Sequence, residues 1–138
     1  RTRLVMDTPD FSSPANFINR ELSFLEFNQR VLDLAQDPTV PLLERLKFLS
    51  ISSANLDEFF EIRVATLYER RESGTAGVSL DGRTIGEQID AIHERARLLV
   101  AAQYRVLNDE LTPSLVNAGI DLAYRPTMTT EEEDALKM

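Results

Sequence analysis

A chain of 138 residues, 43% hydrophobic and 28% charged, has the size and make-up of one globular domain, or of one domain with a piece of a second. Its formal net charge of −8 argues against a non-specific grip on nucleic acid, other polyanions or an anionic membrane by the segment as a whole. The lack of cysteine removes disulfides, thiolate catalysis and cysteine–zinc sites, and no apolar run approaches the ~20 residues of a transmembrane segment.

The chain starts at Arg1 rather than Met and stops inside the pattern "EEEDALKM", so it reads as a fragment. Residues 1–15, rich in Pro and Ser, read as an N-terminal arm. "SFLE", Ser23 to Glu26, has the form of a capping box and predicts the start of the first helix. Phe24, Phe27, Val31 and Leu34 follow at helical spacing, with Leu25 and Leu32 widening the stripe, until Asp37-Pro38 ends it. Pro41 suits the first turn of a second helix, lined by Leu42, Leu46 and Leu49. Ser52, Ser53 and Asn55 interrupt the stripe, and Leu56, Phe60, Val64 and Leu67 resume it. "ESGTAGVSLDGR" is the clearest loop.

"TIGE", Thr84 to Glu87, is a second capping box. It opens a long run of Ile85, Ile89, Ile92, Ala96, Leu99, Gln103 and Val106, whose steps of four and three are those of a coiled-coil-like seam. Thr112 then predicts a cap, Pro113 a first helical position and Gly119 a terminus. Beyond it, Ile120, Leu122 and Tyr124 alternate with polar or small residues like a short strand, and "TMTTEEEDAL" reads as another helix start. The expected fold is all-α: an antiparallel bundle of three to four helices over residues 16–119, with residues 120–138 beginning a second, α+β domain.

Few constellations promise chemistry. His93, the one histidine, follows Asp90 by three residues, half of a carboxylate–histidine metal motif whose second half the chain lacks; a surface histidine is the simpler reading. Asp57-Glu58 and Glu131 to Asp134 are sequence neighbours that cannot face each other across a substrate, and they fit helix first turns better. Arg70 and Arg71, flanked by Glu69 and Glu72, read as a solvated helix face. "SGTAG" lacks the ending of a phosphate loop. The interruption in "FLSISSANLDEFFEIR" admits two accounts. "NLDE" can cap a new helix at Asn55, or the small polar residues can leave a hydrogen-bonding notch. Asp57 and Glu58 would repel a phosphate there, so a nucleobase or ribose fits better. Spacing alone favours the cap.

The stretch "INRELSFLEFNQRVLDLAQDPTVPLLERLKFLSISSANLDEFFEIRVATL", Ile18 to Leu67, resembles the opening of the bacterial polyphosphate kinase family. "ELSFLEFNQRVL" and "PLLERLKFLSISSANLDEFF" carry the likeness. The resemblance implies a helical N-terminal domain, followed by a dimerisation-type domain that residues 120–138 begin, in a large, homo-oligomeric, cytoplasmic enzyme, with membrane association open to the full-length protein. It implies reversible transfer of the terminal phosphate of ATP to polyphosphate through a phosphohistidine, with Mg2+. The histidines, the phosphate-binding arginines and the magnesium belong to domains outside this chain, so no catalytic residue and no metal ligand is expected here. The one functional residue it carries over is the asparagine before "LDEF", Asn55, as an ATP contact, which reverses the preference for a cap. Ser53-Ala54 depart from bulkier residues that the family motif can place there. The competing expectation is a helical interaction module in which the Ile85–Val106 seam binds a partner helix and Asn55 only caps.

Overall fold

The computed structural model describes residues 10–75, 77–122 and 129–135. After a 3-10 turn at Pro14–Asn16 come α1 (Arg20–Gln36) and α2 (Leu42–Glu58). A π-helical turn, Phe59–Val64, joins α2 without a break to α3 (Ala65–Glu72). α4 (Ile85–Arg105) runs through a second π turn, Val106–Leu111, into α5 (Thr112–Asn117). A last helix, α6 (Thr130–Ala135), stands on the acidic stretch where a helix start is expected. At 1.5 Å per residue the α4–α5 rod is about 50 Å long.

Side-chain bonds fix the direction of each rod. Asn28 in mid-α1 reaches Ser52 in mid-α2, and Arg45 near the start of α2 donates to the Ala35 carbonyl near the end of α1, so α2 returns antiparallel. Asn19, Glu26 and Gln36 of the first rod pair in order with Gln88, Arg95 and Glu110, so α4 runs parallel to α1 and antiparallel to α2. The result is the all-α bundle that the periodicity predicts. Asp37 shapes the short link between α1 and α2, accepting from Thr39 N at 2.8 Å and Thr39 Oγ1 at 2.7 Å.

The predicted boundaries need several corrections. α1 starts three residues before Ser23, because Asn19 caps it, accepting from Glu21 N and Leu22 N at 3.1 Å each. Glu26 does not reach back to Ser23. It bonds Arg95, whose guanidinium holds its carboxyl below the ordinary range. The buried face of α1 is Leu25, Asn28, Leu32 and Ala35, while Phe27 is 47% and Leu34 39% exposed. A stripe counted on apolar residues alone passes over Asn28, which belongs to the core through its partners. α2 is uninterrupted at Ser52–Asn55, and Thr112 lies inside a continuous rod rather than capping it. The Thr84–Glu87 box forms as predicted, and every residue of the Ile85–Val106 seam is buried within the bundle, so it is not open to a partner helix. Gly119, at φ +75°, closes α5: Ile120 N donates to the Leu115 carbonyl and Gly119 N to that of Val116. Of the strand expected over Ile120–Arg125, residues 120–122 are irregular and residues 123–125 lie outside the described residues, as does most of the N-terminal arm.

Both π turns sit where the buried pattern steps by five, Phe59 to Val64 and Val106 to Leu111. A wider turn absorbs one extra residue and returns the following side chains to the same face. The reading of Phe60 as a core position misses this step; Phe60 is half-buried beside His93, with ring centroids 5.6 Å apart.

The loop between α3 and α4 is clamped to the start of α1 by Asp81. Its carboxylate accepts from Asn19 at 3.2 Å, from Arg83 at 2.8 Å and from the Ser79 hydroxyl. Desolvation alone would raise this carboxyl, but the Ser79 and Asn19 donors and the Arg83 charge outweigh it and hold it below the ordinary carboxylate range.

Two outcomes follow. Deleting Glu61, exposed in the first π turn, leaves a step of four that an ordinary α-helix accommodates, so cooperative urea unfolding persists. Deleting Ser50 from regular α2 turns every later residue by about 100° and abolishes the cooperative transition. Because the folded Asp81 carboxyl titrates below its unfolded counterpart, its stabilisation is full above about pH 5 and is lost as pH falls through the depressed value. Comparing urea midpoints at pH 7 and pH 3, Asp81→Asn should show a smaller drop than the parent chain.

Candidate functional site

Ser52 and Asn55 tolerate a helix interior because each has a tertiary partner and does not compete for its own backbone. The Gln103 side chain donates to Ser52 Oγ at 2.9 Å. Asn28 Nδ2 donates to the Ser52 carbonyl at 2.9 Å, and Asn55 Nδ2 donates to Asn28 Oδ1 at 3.3 Å. Asn28 and Ser52 are fully buried, Gln103 nearly so, and Asn55 half-buried at the edge. Among the described residues no buried side-chain nitrogen or oxygen lacks a partner. Of the two accounts of the interruption, the cap is incorrect, because α2 runs unbroken through it: Ser52 and Asn55 join a polar bridge across all three rods, while Ser53 is exposed.

The outer end of that bridge opens on a surface depression of about 320 Å3, lined by Phe24, Asn55, Glu58, Phe59, Ile62 and Arg63. Phe24 and Phe59 stack with centroids 5.1 Å apart and planes 12° from parallel. The Arg63 guanidinium lies 5.1 Å from the Phe24 ring centre, a cation–π distance. Arg63 owes its place to the π turn. Eight residues of regular α-helix would leave it roughly 80° round the rod from Asn55, and the extra residue takes back about a full residue's rotation. Glu58 shares this depression, but Asp57 faces a different, more apolar groove between α2 and α4, with Leu46, Leu49, Ser53 and Tyr104. Only one of the two acids expected at the notch is there.

A neighbouring hollow of about 440 Å3 shares Ile62 and Arg63 and adds Arg20 and Arg70 among its walls, beside Glu21 and Asp81. Arg70 thus turns toward a concavity, whereas Arg71 lies over the Tyr68 ring at 4.7 Å. His93 is exposed, its Nε2 2.8 Å from Tyr68 Oη, and Asp90 is exposed too. Among the described residues no three His, Cys, Asp or Glu side chains converge as metal ligands.

The residues that sequence reasoning missed are Phe24, Asn28 and Arg63. Asn28 had a signal: it is the polar member of the series Leu25, Asn28, Leu32, Ala35 at helical spacing. The placing of Arg63 depends on the π turn and had none. Chemically, the depression offers one partly exposed aromatic ring, Phe24, backed by buried Phe59, with one amide, one guanidinium, a single carboxylate and no histidine, serine or cysteine in its lining. It can bind and orient a planar group that carries hydrogen-bonding edges and an anionic tail.

The family model for the polyphosphate kinase N-terminal domain matches residues 17–123. A polyphosphate kinase of Thermosynechococcus vestitus is 44% identical over 124 residues, covering 90% of this chain and 17% of that protein. One of Synechocystis is 45% identical over 129 residues, covering 94% and 18%. One of Mycobacterium marinum is 46% identical over 113 residues, covering 82% and 15%. The chain thus spans less than a fifth of the length of these relatives. No solved structure matches it. No helix among the described residues is long and apolar enough to cross a membrane.

Proposed function

The chain belongs to the polyphosphate kinase N-terminal domain family, and from that membership we propose that it forms one wall of the ATP pocket of a cytoplasmic, homo-oligomeric enzyme that transfers the terminal phosphate of ATP reversibly to polyphosphate. The observation that supports this reading is the half-buried Asn55 amide on the rim of a depression with an aromatic wall and one guanidinium. In this reading Asn55 hydrogen-bonds the base or ribose, exposed Ile62 and the open part of Phe24 cover an apolar face of the nucleoside, and Arg63 faces the phosphate end. Glu58 discourages phosphate from settling at the base end, which gives the nucleotide one preferred direction.

The chain's contribution is positional: it holds the nucleotide so that the reacting phosphate lies where other domains act on it. The phosphohistidine belongs to those domains, as does Mg2+, which supplies charge neutralisation at the phosphates when bound. The residues described here do not fit a magnesium site of their own, since the depression has one carboxylate, Glu58, and an arginine among its lining.

The test is Asn55→Ala in the full-length protein that carries this segment. Loss of one neutral hydrogen bond to the ligand, worth about 0.5–1.5 kcal/mol, raises KM for ATP about 2- to 12-fold, alongside a lower melting temperature because buried Asn28 Oδ1 loses its donor. Arg63→Ala weakens ATP further at low ionic strength, and the deficit narrows as salt screens the parent's own advantage. Unchanged KM in both variants, with stability alone affected, overturns the reading and leaves a structural module.

A further inference from the structure

The hydrogen-bond chain behind Asn55 decides which atom of its amide is presented to a ligand, and with it which base the depression prefers. An asparagine's oxygen and nitrogen are interchangeable in shape, so the direction has to come from an anchor that can only donate or only accept. Here the anchor is the Ser52 carbonyl, which can only accept. Asn28 must therefore turn Nδ2 to it, at 2.9 Å. That leaves Asn28 Oδ1 facing Asn55, and an oxygen there requires Asn55 to offer Nδ2, at 3.3 Å. Turning either amide would set two oxygens or two N–H groups against each other. Asn28 is fully buried, so no water can relieve such a mismatch cheaply.

Resting on the reading of Asn55 as a nucleotide contact, we infer that Asn28 is a positioning residue that locks the Asn55 carbonyl oxygen outward as an acceptor, selecting a purine with a 6-amino group over one with a 6-oxo group. Adenine presents an N–H donor at that position, and hypoxanthine presents an oxygen that the outward Oδ1 repels. Asn28 touches no ligand itself. It acts by removing the freedom of Asn55 to turn over, so its loss costs discrimination more than it costs binding.

The experiment compares ATP with ITP as phosphate donors for the full-length enzyme, as the ratio of kcat/KM values. The parent enzyme favours ATP. Asn28→Leu, with the same branched heavy-atom framework, more bulk and no polar atoms, frees the Asn55 amide and lowers the ATP:ITP ratio about three- to tenfold, mostly through better use of ITP. Ser52→Ala is the contrast: it strips the partner from buried Gln103 and lowers the melting temperature, yet keeps the Ser52 backbone carbonyl, so the ratio stays at the parent value. If Asn28→Leu does not fold, Asn55→Ala reads the same lock from the other side, since it must erase the ATP preference. A parent enzyme that uses ITP as well as ATP, an unchanged ratio in Asn28→Leu, or a ratio that falls equally in Ser52→Ala overturns the inference while the Asn55 contact survives. An unchanged KM for ATP in Asn55→Ala instead sinks the underlying contact.

Discussion

The hydrogen bond from Asn28 to the Ser52 carbonyl is the constraint on which the rest is built. It sets the facing of α1 and α2 at their midpoints, and Gln103 brings the third rod to the same residue. An apolar contact would hold the helices together over a range of rotations and slides. A buried amide with one acceptor in reach holds them at one, because any displacement leaves a polar group unpaired in a dry core. The leucines and isoleucines around it supply the driving force, and the polar bridge supplies the register.

The π turns do for the length of each rod what the bridge does for its rotation. Each takes up one residue that a regular helix could place only by turning its buried face away from the core. In the α2–α3 rod the same turn moves Arg63 round to the side of Asn55, so the irregularity that keeps the core aligned also brings a charge to the depression. At constant pitch, Asn55 and Arg63 of the one rod would not line the same depression.

What could be read from the residues alone follows the physics of each signal. The Thr84 box, the seam of α4 and the glycine stop at residue 119 are local or strictly periodic, and they stand as read. The start of α1 was misplaced because Ser23 and Glu26 have the form of a cap, while Asn19, which makes one, depends on being seated by Asp81 and Gln88 from far along the chain. Ser52 and Asn55 looked like a break because helix propensity counts what a residue does alone. Partners 51 and 27 residues away reverse that count. The motif points to Asn55 as the candidate contact. The setting of Asn55, and the role of Asn28 behind it, were not legible, since both require knowing how two helices face each other.

The lip of the depression has a further property that comes from where its parts lie in the chain. Phe24, Asn28, Ser52, Asn55, Phe59 and Arg63 all belong to the first two rods, joined by a link of only a few residues, and the bonds that orient the amide span 24 and 27 positions. The contacts that dock α4, such as Glu26 with Arg95, span 69. Short loops close with less entropy lost than long ones. The helical hairpin that bears the depression can therefore organise at a lower entropic cost than the docking of the third rod, which seals its back.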